Sequence, residues 1–361
     1  MIYIIAEIGV NHNGSYRTAK KMMKQAKDCG ANAVKFQNFN PDEITLRNVK
    51  KVDYQMQQTN VKETQHQLLQ KLTLTKEEFR KLKAYAKNIS IDYISTPFDD
   101  ENIDFLLNDL RLRTIKISST DTDNLPMLLK LGKSNKKIII STGMSNIDDV
   151  DLALSALAFG NKENSKNFNI SRDLNYYKKN LSYLKKKVTL MHCTTEYPAP
   201  LEELNMNVIN TFLERYQINI GYSDHSCCKI TPIIAAAKGV SMIEVHVTQD
   251  NNNDGPDHHS SLNFKNFRDY VKNIRQAEII NGSFDKALTK SERKNKLKVR
   301  KSLILNNKLP VGKKILESDL SCLRPGNGIS PKYFYAVIGK TLKKSYKRNT
   351  VIKKSMLKKK L

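Results

Sequence analysis

Eight short runs of apolar and β-branched residues recur between residues 2 and 248, and longer, largely amphipathic stretches separate each from the next. The runs are IYIIAEIG, NAVKFQ, DYISTPF, TIKISS, KIIISTG, VTLMHCT, INIGYSD and MIEVHVT. Such alternation implies a parallel sheet, because two parallel neighbours need a crossover that carries the chain back to the same end. Helix-period stretches supply the crossovers. TAKKMMKQAKDCG places Ala19, Met22, Met23 and Ala26 on one face and stops at Gly30, and TPIIAAAKGV stops at Gly239. Eight units in strict alternation, complete near residue 282, predict a (β/α)8 TIM barrel within the α/β class rather than an open doubly wound sheet. Polar residues agree: Glu7, Gln37, Ser119, Ser141, Thr195, Ser223 and His246 stand where different runs end, whereas an open sheet gathers such residues at one switch point.

Two segments interrupt the repeat. Residues 41–70 form a long polar connection after the second run, and residues 160–186, rich in Lys and Asn, read as an exposed insertion before the sixth. The predicted organisation is a barrel over 1–283, a charged linker over 284–299 without apolar periodicity, and a β-rich domain over 300–361 whose short strands are broken by Gly, Pro and Asn. A domain of that size is near the lower limit for folding alone, so it is expected to lean on a partner surface.

The net charge of +25 is uneven: residues 285–361 hold 23 Lys and Arg against four Asp and Glu. A basic lobe can bind nucleic acid through counterion release. Here Lys far outnumbers Arg, aromatic residues are few and no RNA-binding signature is present, so a lysine-rich solvated surface is the preferred reading. Five cysteines without metal-knuckle spacing read as reduced packing thiols. No apolar stretch approaches a membrane span, and MIYIIAEIG reads as a buried strand rather than a secretory signal; a cytoplasmic location is expected.

His225 in GYSDHS and His246 in IEVHVTQD follow the seventh and eighth runs, at the end of a barrel that carries chemistry. Histidines there are either packed core residues or ligands of a divalent metal. Lys35 and Lys116 lie inside apolar runs, where an ammonium must meet an anion. Either barrel acids such as Glu7 or Asp121 supply it, or a phosphate- and carboxylate-bearing substrate does, with Ser119, Ser141 and Ser223 as further donors. Glu7 is placed to act as general acid or base, or to orient Lys35 or a water.

Together the motifs AEIGVNHNGS (6–15), VKFQ (34–37), ISTPFD (94–99), IISTGMS (139–145), YSDHS (222–226), EVHVT (244–248), GPDHHSS (255–261) and RPGNGIS (324–330) resemble the sialic acid synthases, which make nonulosonic acids. The resemblance runs from Met1 essentially to the C-terminus and includes an appended SAF, or antifreeze-like, domain. It implies condensation of phosphoenolpyruvate with an open-chain N-acylated amino sugar, such as N-acetylmannosamine, in a domain-swapped homodimer. It places Glu7, Lys35, Lys116 and Tyr197 at the catalytic centre. Lys35, Gln37, Lys116, Ser119, Ser141, Thr195 and Ser223 are then expected around phosphoenolpyruvate, and Asp121, Asp257 and the other subunit's Arg324 on the sugar. His225 and His246 are expected to hold manganese or magnesium. No organic cofactor or covalent enzyme intermediate is implied.

Three departures bear on the substrate. KISSTD replaces the KIPSGE or KIGSGE of many relatives, so Thr120 stands for a glycine and Asp121 for a sugar-contacting glutamate. Thr195 stands where these synthases often have a phosphate-binding Asn, and Arg300 where some present an aromatic residue. A 6-deoxy di-N-acetylated hexose, the substrate of a legionaminic or pseudaminic acid synthase, is therefore the alternative within the class. Outside it stand a non-catalytic carbohydrate-binding protein and an RNA-binding protein.

Overall fold

The eight runs become eight strands. A computed structural model describes residues 1–51, 56, 63–163 and 167–359, in two units, Met1–Gly282 and Ser283–Leu361. In the first unit β1 (Tyr3–Gly9), β2 (Ala33–Asn38), β3 (Asp92–Pro97), β4 (Thr114–Ile117), β5 (Lys137–Ser141), β6 (Val188–His192), β7 (Asn219–Asp224) and β8 (Met242–Thr248) lie in sequence order, each parallel to the next. Pairing of β8 with β1 closes the barrel, and a short β9 (Leu262–Asn263) extends beside β8. The expected (β/α)8 barrel is the fold.

Strand alternation sorts the side chains. β1 sends Ile4, Ala6 and Ile8 outward into the large core under the helices. Ile5 points inward and packs with Ala33, Ile94, Ile139 and Met191 to fill the lumen. Two residues further along several of the same strands, the inward positions change character: Ile5 gives way to Glu7 and Ala33 to Lys35. The lower lumen is therefore apolar and the upper lumen charged. The helix Tyr16–Asp28 buries Ala19, Met22, Met23 and Ala26, the expected face, and Ser15 caps it by accepting from the Thr18 amide at 3.3 Å.

The connection around residues 160–186 corrects an expectation. It is not an exposed insertion: the helix Ile147–Glu163 runs into it, and Tyr176, Tyr177, Tyr183 and Leu184 are buried in the main core. Tyr177 meets Tyr216 edge-on with ring centroids 5.7 Å apart, and Ser155 Oγ donates to the Leu174 carbonyl at 2.6 Å. Tyrosine between lysines disguises an apolar face, because the ring buries while the lysine heads stay in water. Residues 164–166 of this stretch, and 52–55 and 57–62 of the connection after β2, lie outside the described residues.

The second unit has its own core, built on Leu303, Leu305, Leu309, Ile315, Ile329, Val337, Leu342 and Ile352. An antiparallel pair, β10 (Ser302–Leu305) and β11 (Leu320–Leu323), supports it, and Ile304, Leu309, Lys314 and Leu342 each bridge to a later segment. The stretch expected to be linker contains a helix, Lys290–Val299, that buries no residue. A capping box between Thr289 and Glu292 and a lysine-rich, helix-favouring composition form it without an apolar face. Among the described residues no helix is long and apolar enough to cross a membrane.

Two glycines fix the contact between helices Leu125–Lys133 and Ile147–Glu163. A Cβ at Gly132 would collide with the Leu157 carbonyl, and one at Gly160 with that of Leu129. Gly160→Ala should therefore destabilise the protein by about 1–3 kcal/mol through overpacking, despite alanine's better helix propensity. Chemical denaturation measures this; an unchanged or raised midpoint contradicts the close approach.

Candidate active site

At the charged end of the lumen, four ionisable side chains pair among themselves. Lys35 Nζ lies 3.0 Å from Glu7 Oε2 and 3.4 Å from Glu244 Oε1. Lys116 donates to both oxygens of Glu244, at 2.8 and 2.9 Å. Ser223 Oγ donates to Glu244 at 3.2 Å, and Gln37 Nε2 to Glu7 Oε1 at 3.2 Å. Glu7 Oε2 meets Lys35 as an ion pair only, without hydrogen-bond geometry. Burial alone would raise the carboxyl of Glu244, but Lys116 and Lys35 outweigh it and hold it at about 2. Glu7 is pushed up, first by burial and then by Glu244, because Lys35 offsets only part.

The two histidines lie beside this quartet, with ring centroids 5.7 Å apart. The Thr194 carbonyl accepts from His225 Nδ1 at 2.7 Å, which assigns the proton to Nδ1 and leaves a lone pair on Nε2. That Nε2 is 3.2 Å from Ser223 Oγ and 3.4 Å from the Tyr197 hydroxyl, and the Tyr197 ring stacks on the imidazole. His246 Nδ1 is buried without a hydrogen-bond partner, 3.7 Å from Asp257 Oδ2. Burial first, then the neighbouring His246 imidazole, lowers His225 to about 4, and burial first, then Lys35 and Lys116, lowers His246 to about 3. Both are neutral near pH 7 and able to ligate. Among the described residues no group of three or more His, Cys, Asp and Glu side chains forms a metal site, so an ion here would have two imidazoles and otherwise open positions.

Two adjoining cavities share Gln37, Phe98, Ser118, Ser119, Tyr197 and His246. The inner one, about 60 Å³, is lined also by Glu7, Lys35, Lys116, Ser141, Ser223, His225 and Glu244. The outer one, about 310 Å³, has polar walls at Thr120, Thr195 and Asp257 and an apolar wall of Val10, Phe39, Ile44, Leu68, Leu72 and Phe98. Asp257 is raised to about 7, by burial and then by the Glu7 charge. Its loop is tied down by His258, which bridges Thr248 Oγ1 at 2.7 Å and Asn13 Oδ1 at 3.1 Å.

The structure therefore gathers most of the residues expected from sequence. Asp121 is not among them: it lines neither cavity, and Asn124 and Thr120 donate to its carboxylate at 2.9 and 3.1 Å. Arg324 is exposed in the second unit. Sequence reasoning missed Glu244, although its place in β8, two residues before His246, puts it in the same inward column.

Residues 22–286 match the NeuB family and residues 300–358 the SAF domain. The chain belongs to the NeuB family. Across 97% of its length this NeuB family member is 40% identical to the N,N'-diacetyllegionaminic acid synthase of Campylobacter jejuni, of which it covers 98%, and 34% identical to the enzyme of that name from Legionella pneumophila, covering 93%. Among solved structures it resembles the N-acetylneuraminic acid (sialic acid) synthetase of Leptospira borgpetersenii, at 28% identity and a TM-score of 0.65, over 81% of this chain and 90% of that one.

What holds the β7 mouth of this NeuB family member in place is Asp224, fully buried just before His225. It accepts from the Ser226 amide and hydroxyl at 2.9 and 2.6 Å, from Thr231 Oγ1 at 2.5 Å and from the Tyr270 hydroxyl at 2.8 Å. Tyr270→Phe removes one charge-assisted bond without creating a cavity, so a loss of about 1.5–3 kcal/mol is expected in urea unfolding. Stability equal to the parent's would show that Asp224 does not anchor this turn.

Proposed function

We propose that this chain is a nonulosonic acid synthase that joins phosphoenolpyruvate to the open-chain form of an N-acylated amino sugar and releases phosphate. The observation that carries the reading is the pair of cavities: a small charged one adjoins a larger one of mixed polarity, with Tyr197 and His246 among the residues that line both. Lys35 and Lys116 offset the charge of the phosphate and carboxylate in the inner cavity, and Ser119, Ser141 and Ser223 offer them hydroxyl contacts. Carbon three of phosphoenolpyruvate bonds to the sugar's aldehyde carbon. Water adds at carbon two, and the tetrahedral intermediate expels phosphate to leave a ketone. Glu7, beside the reacting carbons, moves the proton that these steps exchange with water. Gln37, which donates to Glu7, holds that carboxylate in place.

The neutral imidazoles of His225 and His246, one with an Nε2 lone pair facing the Ser223 and Tyr197 hydroxyls and the other with an unpartnered buried Nδ1, fit a divalent cation such as manganese or magnesium. Bound there, the cation would polarise the aldehyde oxygen as a Lewis acid. Asp257 meets the sugar from the outer cavity, with Thr195 and Tyr197 on the same wall. In the same proposal Arg324 of a second copy reaches the sugar in a homodimer.

Within the class, the apolar wall favours a 6-deoxy di-N-acetylated hexose over N-acetylmannosamine. A terminal methyl and a second acetyl group gain from contact with Phe39, Ile44, Leu68 and Phe98, where a hydroxymethyl would lose its water. The Campylobacter and Legionella relatives support the same choice by their names.

Phosphate release from phosphoenolpyruvate, with each sugar and manganese, tests the reading. Replacing either His225 or His246 by Ala should cut the rate roughly 100- to 1,000-fold, and chelation should do the same. An absence of turnover with any N-acylated hexose would refute it, whereas sugar binding that survives chelation and both substitutions would point to a binding protein. The preference between sugars should be about 10- to 200-fold in kcat/KM toward the 6-deoxy sugar. Equal or reversed values would remove the role given to the apolar wall.

A further inference from the structure

Four charged side chains, Glu7, Lys35, Lys116 and Glu244, pair in the inner cavity, and the reaction above uses three of them directly. The fourth is Glu244. It is 2% exposed, and its oxygens take two bonds from Lys116, one from Ser223 and an ion pair from Lys35. β4 and β8 stand on opposite sides of an eight-strand barrel, so Lys116 reaches Glu244 by crossing the lumen. Lys35 comes from β2, and Ser223 is the register partner of Glu244 on β7. One carboxylate thus draws two long side chains and a hydroxyl from three strands to a single corner.

We infer that Glu244 is a positioning residue for phosphoenolpyruvate: it fixes Lys35, Lys116 and Ser223 in the array that receives the phosphate and carboxylate. The inference rests on the synthase reading. Lysine is a flexible chain ending in a compact charge, and its freedom must be removed before it can form part of a shaped anion site. A second effect of Glu244 opposes the first, because its own negative charge repels an incoming phosphate. The two predict opposite outcomes for Glu244→Gln. If repulsion dominates, the amide tightens phosphoenolpyruvate binding. If positioning dominates, binding weakens, because the amide keeps one acceptor oxygen and turns its NH2 toward ammonium groups that can only donate. Four contacts within 3.4 Å favour positioning.

Calorimetric titration of the full-length protein with phosphoenolpyruvate, together with steady-state kinetics, tests this. Glu244→Gln should raise the Kd and KM for phosphoenolpyruvate about 10- to 100-fold, the amount expected for lost charge-assisted hydrogen bonds, and leave the KM for the sugar unchanged. In a cycle with Lys116→Met, the double variant should bind phosphoenolpyruvate no more than about threefold more weakly than Lys116→Met alone, since the two residues act as one unit. Unchanged or tighter binding by Glu244→Gln, an equal rise in both KM values, or losses that multiply in the double variant would overturn the inference. If Glu244→Gln does not fold, Glu244→Asp keeps the charge but withdraws it by one methylene. A several-fold loss of phosphoenolpyruvate affinity then supports positioning, and parental affinity overturns it. Parental protein that binds no phosphoenolpyruvate would refute the synthase reading itself, and the role of Glu244 with it.

Discussion

Two carboxylates and two ammonium groups sit in a barrel mouth with almost no access to water, and the rest of the site depends on their pairing. Any one of them left alone there would face a desolvation cost of several kcal/mol. Together they are mutually neutral at separations of about 3 Å, and Ser223, Gln37 and Thr96 occupy further hydrogen-bonding positions. This arrangement requires the closed barrel. Glu7 stands opposite Lys35 on one side and His246 on the other only because β1 pairs with both β2 and β8. Closure therefore brings the charged groups and the imidazoles into one chamber.

The layer beneath them matters as much. Ile5, Ala33, Ile94, Ile139 and Met191 fill the lumen below the charges and close the chamber from that side. Ion pairs that would be weak at a surface are strong in such a setting, and groups already oriented there need not reorganise when a charged ligand arrives. The outer cavity has a different character, with polar groups on one wall and large apolar side chains on the other. In the proposed reaction an anion and a partly apolar sugar would thus meet distinct surfaces that share Tyr197 and His246.

Much of this was legible in the sequence because strand period and strand ends carry the information. Every strand fell on its apolar run, and the inward lysines were visible as polar interruptions, Lys35 between Val34 and Phe36 and Lys116 between Ile115 and Ile117. Glu244 escaped notice although it obeys the same rule, since a glutamate between Ile243 and Val245 reads as one more strand-end polar residue until β4 is placed across the lumen. Asp121 shows the converse. The resemblance places it on the sugar, while within the chain a 3-10 turn over Ser119–Asp121 brings its carboxylate to Asn124 and Thr120. The packed tyrosines around residue 177 and the helix Lys290–Val299 were hidden for another reason: lysine-rich composition looks the same on a solvated helix, on a covered one and on a linker.

That ambiguity also determines which lysines can matter to an anionic substrate. Most of the chain's excess positive charge lies in residues 285–361, where nearly all lysines are exposed. At physiological salt such charges are screened beyond about 8 Å, so from a distance they can raise encounter rates but do not fix an anion in place. Lys35 and Lys116 are different, being 4% and 2% exposed and held at fixed positions by carboxylates. In the proposed synthase, affinity for a phosphate would follow from two buried lysines and their partners, and it should depend far less on ionic strength than the net charge of +25 suggests. In this chain the abundant cations are a solvated surface, and the proposed anion chemistry rests on the two that composition does not reveal.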